Sequence, residues 1–500
     1  MIRNIGRYIH ATTSCNNSKA MTMNTTPPPA EQGGKLSLFP LTALVIGAII
    51  GSGIFSLPQN MASGAGPEAI LIAWAITFVG MFCLARVFQQ LALLRPDINT
   101  GPYGYARERF GDFIGFSMAW GMWVSACMGN SGYLVGFWGT LSGFPGLEFF
   151  GDGTTTPAVI CALVMLWAVH FMILRGVQTA AFINALVTLA KIIPVLMFIA
   201  FTALAFKVDT FNLDFGASLQ LGGLLAQVKT TMLFTVWVFI GIESASIYAS
   251  RARSMRDVSL STSLGFIVTF LLYAGVSILS LGILPQAELA ALKNPSMAGV
   301  LAHVLGPWGG TLINLGMIIS VGGAFLAWTL LASEIMFNTS RGDHGTGPHV
   351  FKIVNRTGTP SGALWLSNIL VTACLLFAWL EQAGYNVLIQ LATAMTLAPY
   401  LLSSLFALNE AAKAPKPNPA WLLVAAVSSA YGFWLVYAAG WNFWLASMLL
   451  YALGIIFFLR GRRQDNLPFI TKRWEGAIVI LIVLLAVVAG YSMYTGHLHL

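Results

Sequence analysis

Residues Gly47–Phe55 read G-A-I-I-G-S-G-I-F, inside the apolar run L-F-P-L-T-A-L-V-I-G-A-I-I-G-S-G-I-F-S-L-P from Leu38 to Pro58. A helix of about 20 apolar residues crosses a bilayer, so the run is long enough to span. Yet Gly51, Ser52 and Gly53 stand at its centre, where each glycine costs a helix about 1 kcal/mol relative to alanine. A broken helix leaves N–H and C=O groups without partners, which hydrocarbon tolerates only where the backbone is buried in protein or lines a cavity. The stretch therefore predicts a polar site at mid-membrane. The competing reading is a seam of small residues that lets two helices pack closely.

The whole chain supports the membrane setting. It has 500 residues, 57% hydrophobic and 9% charged, against roughly 25% charged in a soluble domain. Mean hydropathy is +0.76. Thirteen stretches suit spanning helices, near 38–62, 69–94, 114–145, 157–174, 179–206, 228–249, 260–284, 309–333, 361–380, 386–408, 420–439, 441–459 and 476–494. The expected fold class is an all-α polytopic membrane protein with 12–13 transmembrane helices, embedded in the lipid bilayer.

The net charge of +8 invites a nucleic-acid reading, but its distribution argues for topology. With the N-terminus placed in the cytoplasm, Arg95, Arg107, Arg109, Arg251, Arg253, Arg256, Arg341, Arg460, Arg462 and Arg463 all fall in inside loops. Outside loops carry Lys207, Lys229 and Lys293, while Arg86 and Lys191 lie within helices. That asymmetry is the positive-inside pattern, and no nucleic acid partner is expected.

Residues 1–36 end in T-T-P-P-P-A-E-Q-G-G, a composition that cannot bury a core and reads as a disordered cytoplasmic tail. They lack the apolar region of a signal peptide; Met21 or Met23 is an alternative start. Cys15, Cys83, Cys127, Cys161 and Cys374 are scattered without a C-x-x-C pair, so neither a disulfide framework nor a zinc site is indicated. The seven histidines lie in tails, loops or helix ends without H-E-x-x-H. No metal or cofactor is expected, and no enzyme.

A second interruption lies five helices on. The sixth stretch reads T-V-W-V-F-I-G-I-E-S-A-S from Thr235 to Ser246, with Gly241 breaking the run before Glu243 and the small residues Ser244, Ala245 and Ser246. Transporters built from two inverted repeats carry their broken helices at corresponding places in the two halves, and these meet at the substrate site. Half-helix N-termini favour a carboxylate there and loose carbonyls an ammonium. A zwitterionic amino acid suits such a pair. Glu243, ionisable at this depth, is functional by default; it could face a cationic side chain, take up a proton, or cap the free amides of the break.

Several separate motifs then occur in an order that resembles the amino acid–polyamine–organocation superfamily: I-I-G-S-G-I-F-S-L-P (Ile49–Pro58), P-E-A-I-L-I-A-W (Pro67–Trp74), G-P-Y-G-Y-A-R-E-R-F-G (Gly101–Gly111), I-L-R-G-V-Q-T-A-A-F-I-N (Ile173–Asn184), W-V-F-I-G-I-E-S-A (Trp237–Ala245) and A-W-T-L-L-A (Ala327–Ala332). Within it the chain is similar to the basic amino acid antiporters that exchange arginine for ornithine or agmatine. The resemblance covers roughly residues 37–460. It implies the leucine-transporter fold, a 5+5 inverted repeat with helices one and six broken. The expected division is a first repeat at 37–209, a second at 210–412, and peripheral helices at 413–500.

The resemblance also implies roles. Backbone at Ile50, Gly51, Ser52 and Gly53 would hold a substrate carboxylate, and carbonyls from Val238 through Ile240 and Gly241 the α-ammonium. Trp237 matches an aromatic lid and Trp328 a tryptophan beside the substrate side chain, although packing or an interfacial belt would also use tryptophan. Asn130, in A-C-M-G-N-S-G-Y, matches an asparagine facing the polar end; a helix–helix hydrogen bond would equally satisfy it. Lys191 stands where some relatives carry a lysine that reaches the first broken helix, at the place where sodium-driven cousins bind a cation. It would couple a proton or replace the sodium, and no sodium requirement is expected. Two departures are Thr100, where relatives often have glycine, and Met122, where an arginine/agmatine exchanger carries a gate tyrosine.

The expected activity is near-electroneutral exchange of arginine for ornithine, or a related basic amino acid or amine, in a bacterial inner membrane. The alternative is a proton-coupled amino acid symporter, supported by Lys191 and Glu243. A non-transporting sensor on the same fold is a third reading, and association as a homodimer stays open. A channel is disfavoured: the tripeptide N-P-A occurs once, at Asn418–Ala420, in a polar loop. The thirteenth stretch follows the basic R-G-R-R-Q and T-K-R-W, which should stay inside, so the C-terminus would emerge outside.

Overall fold

In the computed structural model the described residues are 37–95, 98, 102–175, 180–216, 221–243, 253–341 and 346–497. The expected tail at 1–36, the motif ends at Gly101 and 176–179, the small residues Ser244–Ser246 and Arg251 lie outside them.

Each of the thirteen apolar stretches has a helical counterpart. In chain order the helices are α1 (Leu38–Ile49), α2 (Gly53–Ala62), α3 (Pro67–Leu94), α4 (Pro102–Phe110), α5 (Asp112–Leu141), α6 (Thr156–Leu174), α7 (Ala180–Leu204), α8 (Val208–Leu213), α9 (Leu224–Trp237), α10 (Met255–Leu281), α11 (Gln286–Ala291), α12 (Ser296–Leu305), α13 (Pro307–Ser340), α14 (Ser361–Leu380), α15 (Tyr385–Lys413), α16 (Pro419–Ala438), α17 (Gly440–Gln464) and α18 (Arg473–Tyr494). Among the described residues nine helices are long and apolar enough to cross a membrane, or ten with the bent α1–α2 pair taken as one span. The chain is a multi-pass membrane protein.

Helix α5 owes its place to its composition. It mixes tryptophan, glycine, serine and asparagine, and almost every residue from Phe113 to Gly136 is buried. A helix buried on all sides sits in the middle of a bundle rather than against lipid. Accordingly α5 packs against α13 and α15, with Trp123 Nε1 donating to Ser367 Oγ on α14 at 2.7 Å. At the other extreme α18 is the most apolar span and only 11% of its most apolar window is buried. It packs on α17 and leaves Ile480, Leu484, Val487 and Tyr491 exposed, as a lipid-facing helix would.

The N-P-A tripeptide is a helix start. Asn418 Oδ1 accepts from the N–H groups of Ala420 and Trp421 at 3.0 and 3.4 Å, and Pro419 takes the first helical position of α16. Asparagine before proline is what a helix N-terminus prefers.

Candidate functional site

The first stretch is broken where its sequence weakens it. Helix α1 ends at Ile49, Ile50 turns extended (φ −74°, ψ 105°), and α2 restarts at Gly53 with its axis bent by 46°. The carbonyls freed by the break are met by side chains from other helices. Lys191 Nζ on α7 donates to Gly47 O at 2.6 Å and also to Ile50 O. Tyr273 Oη on α10 donates to Ile49 O at 3.0 Å, and Ser320 Oγ on α13 to Gly51 O at 3.3 Å. Ser52 Oγ is hydrogen-bonded to Tyr385 Oη on α15 at 2.6 Å. By contrast, the N–H groups of Gly51, Ser52 and Gly53 have no hydrogen-bond partner among the described residues, and α2 starts there.

The second break has the opposite polarity. After Trp237 the chain unwinds through tight turns in which the N–H groups of Val238, Phe239, Ile240 and Ile242 bond back to Phe234, Val236, Trp237 and Phe239. Gly241 N–H donates to Glu243 Oε2 at 3.1 Å. The same oxygen accepts from Tyr400 Oη on α15 at 2.9 Å. The carbonyls of Val238 and Ile240 have no partner among the described residues. Gly241 adopts φ +109°, and a Cβ on it would stand 2.8 Å from Ala48 O. Only glycine combines this conformation with so close an approach. Here the two breaks touch.

Between them lies a cavity lined by Ile49, Gly51 and Gly53 of the first break, Trp237, Val238 and Ile240 of the second, and Ser125, Ala126, Gly129, Tyr133 and Trp328. It is narrow: the space open to water centres is about 20 Å³, room for about one or two waters. The Trp237 indole forms one wall. A Cβ on Gly53 would come 2.9 Å from Trp237 Cδ1, and one on Gly129 3.0 Å from Trp237 Cη2. The Tyr133 ring lies 6.0 Å from that of Trp237, tilted by 53°. Trp328 is half-buried on α13.

The sequence-predicted residues thus separate into groups. Gly51, Gly53, Trp237, Ile240 and Trp328 meet at the cavity. Ile50, Ser52 and Gly241 belong to the two breaks and are not among the residues that line it. Asn130 is buried beside Gly129, its Nδ2 3.3 Å from Thr329 Oγ1, while its Oδ1 has no partner among the described residues. Glu243 and Lys191 do not line the cavity; each is buried and bonded to the backbone of one break. Among the described residues no acidic side chain lines the cavity.

Of the two charges set aside in the sequence, Arg86 Nη1 donates to Gln89 Oε1 at 2.7 Å. Glu334 is exposed. Tyr133, Tyr273, Ser320, Tyr385 and Tyr400 were not legible as site residues; Tyr133 alone gave a local signal, one helical turn beyond Asn130.

A bundle of spans with two broken helices meeting at a cavity defines a secondary transporter of the leucine-transporter fold, a 5+5 inverted repeat. The sequence profile of the family described as Amino acid permease matches residues 36–485, and the chain belongs to that family. It is 45% identical to the arginine/ornithine antiporter of Pseudomonas aeruginosa over 94% of this chain and 99% of that protein. It is 43% identical to a putative arginine/ornithine antiporter of Escherichia coli K12, over 92% of this chain and 99% of that one. With an arginine/agmatine antiporter of Chlamydia caviae it shares 38% identity, over 93% and 98%.

Proposed function

We propose that this protein exchanges arginine for ornithine, or for a related basic amino acid or amine, across a bacterial inner membrane by alternating access. The observation that carries the proposal is the opposite polarity of the two breaks. The amides of Gly51–Gly53, without a partner among the described residues, suit a carboxylate, and the carbonyls of Val238 and Ile240, likewise without one there, suit an ammonium. Both meet one cavity walled by two indoles. The names of the relatives given above point the same way.

Trp237 and Trp328 would stack on the cationic end, a contact worth about 0.5–2 kcal/mol. Asn130 would offer its free Oδ1 to the substrate's polar end. Glu243 and Lys191 would act through the backbone, each holding one break open. The Lys191 ammonium would stand in for a coupling cation, so transport would need no sodium. Arginine and ornithine carry the same net charge at neutral pH, so their exchange is near-electroneutral. The helices of residues 37–209 and 210–412 would form the two repeats, with α1, α2 and α9 rocking against the rest. The charge pattern of the loops supports a cytoplasmic N-terminus.

Counterflow into liposomes tests this. Labelled arginine outside should enter only when ornithine, agmatine or lysine is trapped inside, and should ignore a protonophore. Uptake into empty vesicles that follows a pH gradient would replace the exchange reading by proton symport.

A further inference from the structure

Three tyrosine hydroxyls surround the first break, and two are committed. Tyr273 donates to Ile49 O at 3.0 Å, and Tyr385 is bonded to Ser52 Oγ at 2.6 Å. The third is Tyr133 on α5. It lines the cavity, its side chain is buried with 5% exposure, and its Oη stands 2.8 Å from where a Gly51 Cβ would be. It has no hydrogen-bond partner among the described residues. The residue lines the cavity, so its hydroxyl is available to an acceptor that enters there. The neighbouring groups at Gly51, Ser52 and Gly53 are amide donors, also without a partner among the described residues, at the start of the ten-residue helix α2. What accepts from a hydroxyl and several amides together is an anion.

We propose that Tyr133 donates to the substrate's α-carboxylate and thereby selects amino acids over their decarboxylated amines. This rests on the reading of the cavity as an amino acid site. An amine without the carboxylate would bury the hydroxyl and the amides with nothing to accept from them. A site built to hydrogen-bond a group rejects the analogue that lacks it far more strongly than a hydrophobic pocket rejects a missing methylene. Tyr133 would then decide whether ornithine or agmatine is the better exchange partner for arginine.

The test is Tyr133→Phe, which keeps the ring against Trp237 and removes one oxygen. In counterflow, competition by arginine and ornithine should weaken by about tenfold, the loss of one charge-assisted hydrogen bond. Competition by agmatine and putrescine should stay within about twofold. Arginine methyl ester, which cannot present a carboxylate, should compete equally with both proteins. Equal loss for amino acids and amines, or no loss for either, overturns the proposal. A wild-type protein that carries no basic substrate would instead overturn the exchange reading. The same comparison, made with whichever α-amino acid it does carry and that acid's amine, would still decide the role of Tyr133.

Discussion

The two breaks solve one physical problem in opposite ways. A helix interrupted in hydrocarbon frees both donors and acceptors, and leaving either unmatched is costly. At the first break the acceptors are covered, by Lys191, Tyr273 and Ser320 from three other helices, and the donors stay open. At the second break the donors are covered, largely by the chain turning back on itself and by Glu243, while the carbonyls of Val238 and Ile240 have no partner among the described residues. Among the described residues the unmatched groups at the first break are donors and those at the second are acceptors. The difference between the halves, rather than either break alone, fits a zwitterion.

The comparison breaks most completely at the point where the halves touch. Gly241→Val forces a β-branched residue into φ +109° and drives its Cβ against Ala48 O, 2.8 Å away. Strain of this kind costs on the order of 1–3 kcal/mol even before the clash. Counterflow should fall to background while the protein still inserts and elutes as a single species. Exchange at a tenth of the wild-type rate or more would mean that the contact between the breaks is dispensable.

Removing the two buried charges sharpens the contrast. Lys191→Met takes a donor from two buried carbonyls, each then left unsatisfied at about 1–3 kcal/mol. Glu243→Gln keeps an oxygen that can accept from Gly241 N–H and Tyr400. The lysine variant should therefore lose more thermal stability in detergent and more exchange than the glutamine variant. If Glu243→Gln abolished exchange at an unchanged melting temperature, the carboxylate would be acting by its charge or its proton rather than as a cap.

Trp237→Leu comes next. It removes an indole packed between Gly53 and Gly129, and should weaken arginine binding by about 2- to 30-fold, the range of a cation–π contact. Folding should change less than binding. Unchanged affinity would reduce Trp237 to a packing residue.

Much of this is legible in the sequence. Long apolar runs locate helices because hydrocarbon admits little else, so all thirteen appear near their expected places. The breaks announced themselves through Gly51–Gly53 and Gly241, whose weakening of a helix is local. What holds the breaks is not local. Ser52 and Tyr385 are 333 residues apart, and Gly51 and Ser320 are 269 apart; such pairs leave no period in a sequence. For the same reason the sequence leaves Glu243 open as a group facing a cationic side chain, a proton site or a cap, and its contact with Gly241 N–H is not visible there.

The smallest effect is expected far from the breaks, where the peripheral helices are tied down by exposed charges. At the C-terminal end of α17, Asp465 accepts from His349 Nε2 at 2.7 Å and lies 3.8 Å from Lys352 Nζ. The His349 hydrogen bond, more than the Lys352 charge, holds its carboxyl below the ordinary value. A depressed carboxylate contributes stability above its unfolded pKa, and that contribution fades as pH falls through the lowered value. Exposed pairs are worth about 0–1 kcal/mol, so Asp465→Asn should lower the melting temperature slightly at pH 7, and the two proteins should converge in acid. Exchange should not change, because the pair touches neither break. A large loss of exchange in Asp465→Asn would show that the loop before α14 and the end of α17 move together during transport, and that the rocking bundle extends beyond α1, α2 and α9.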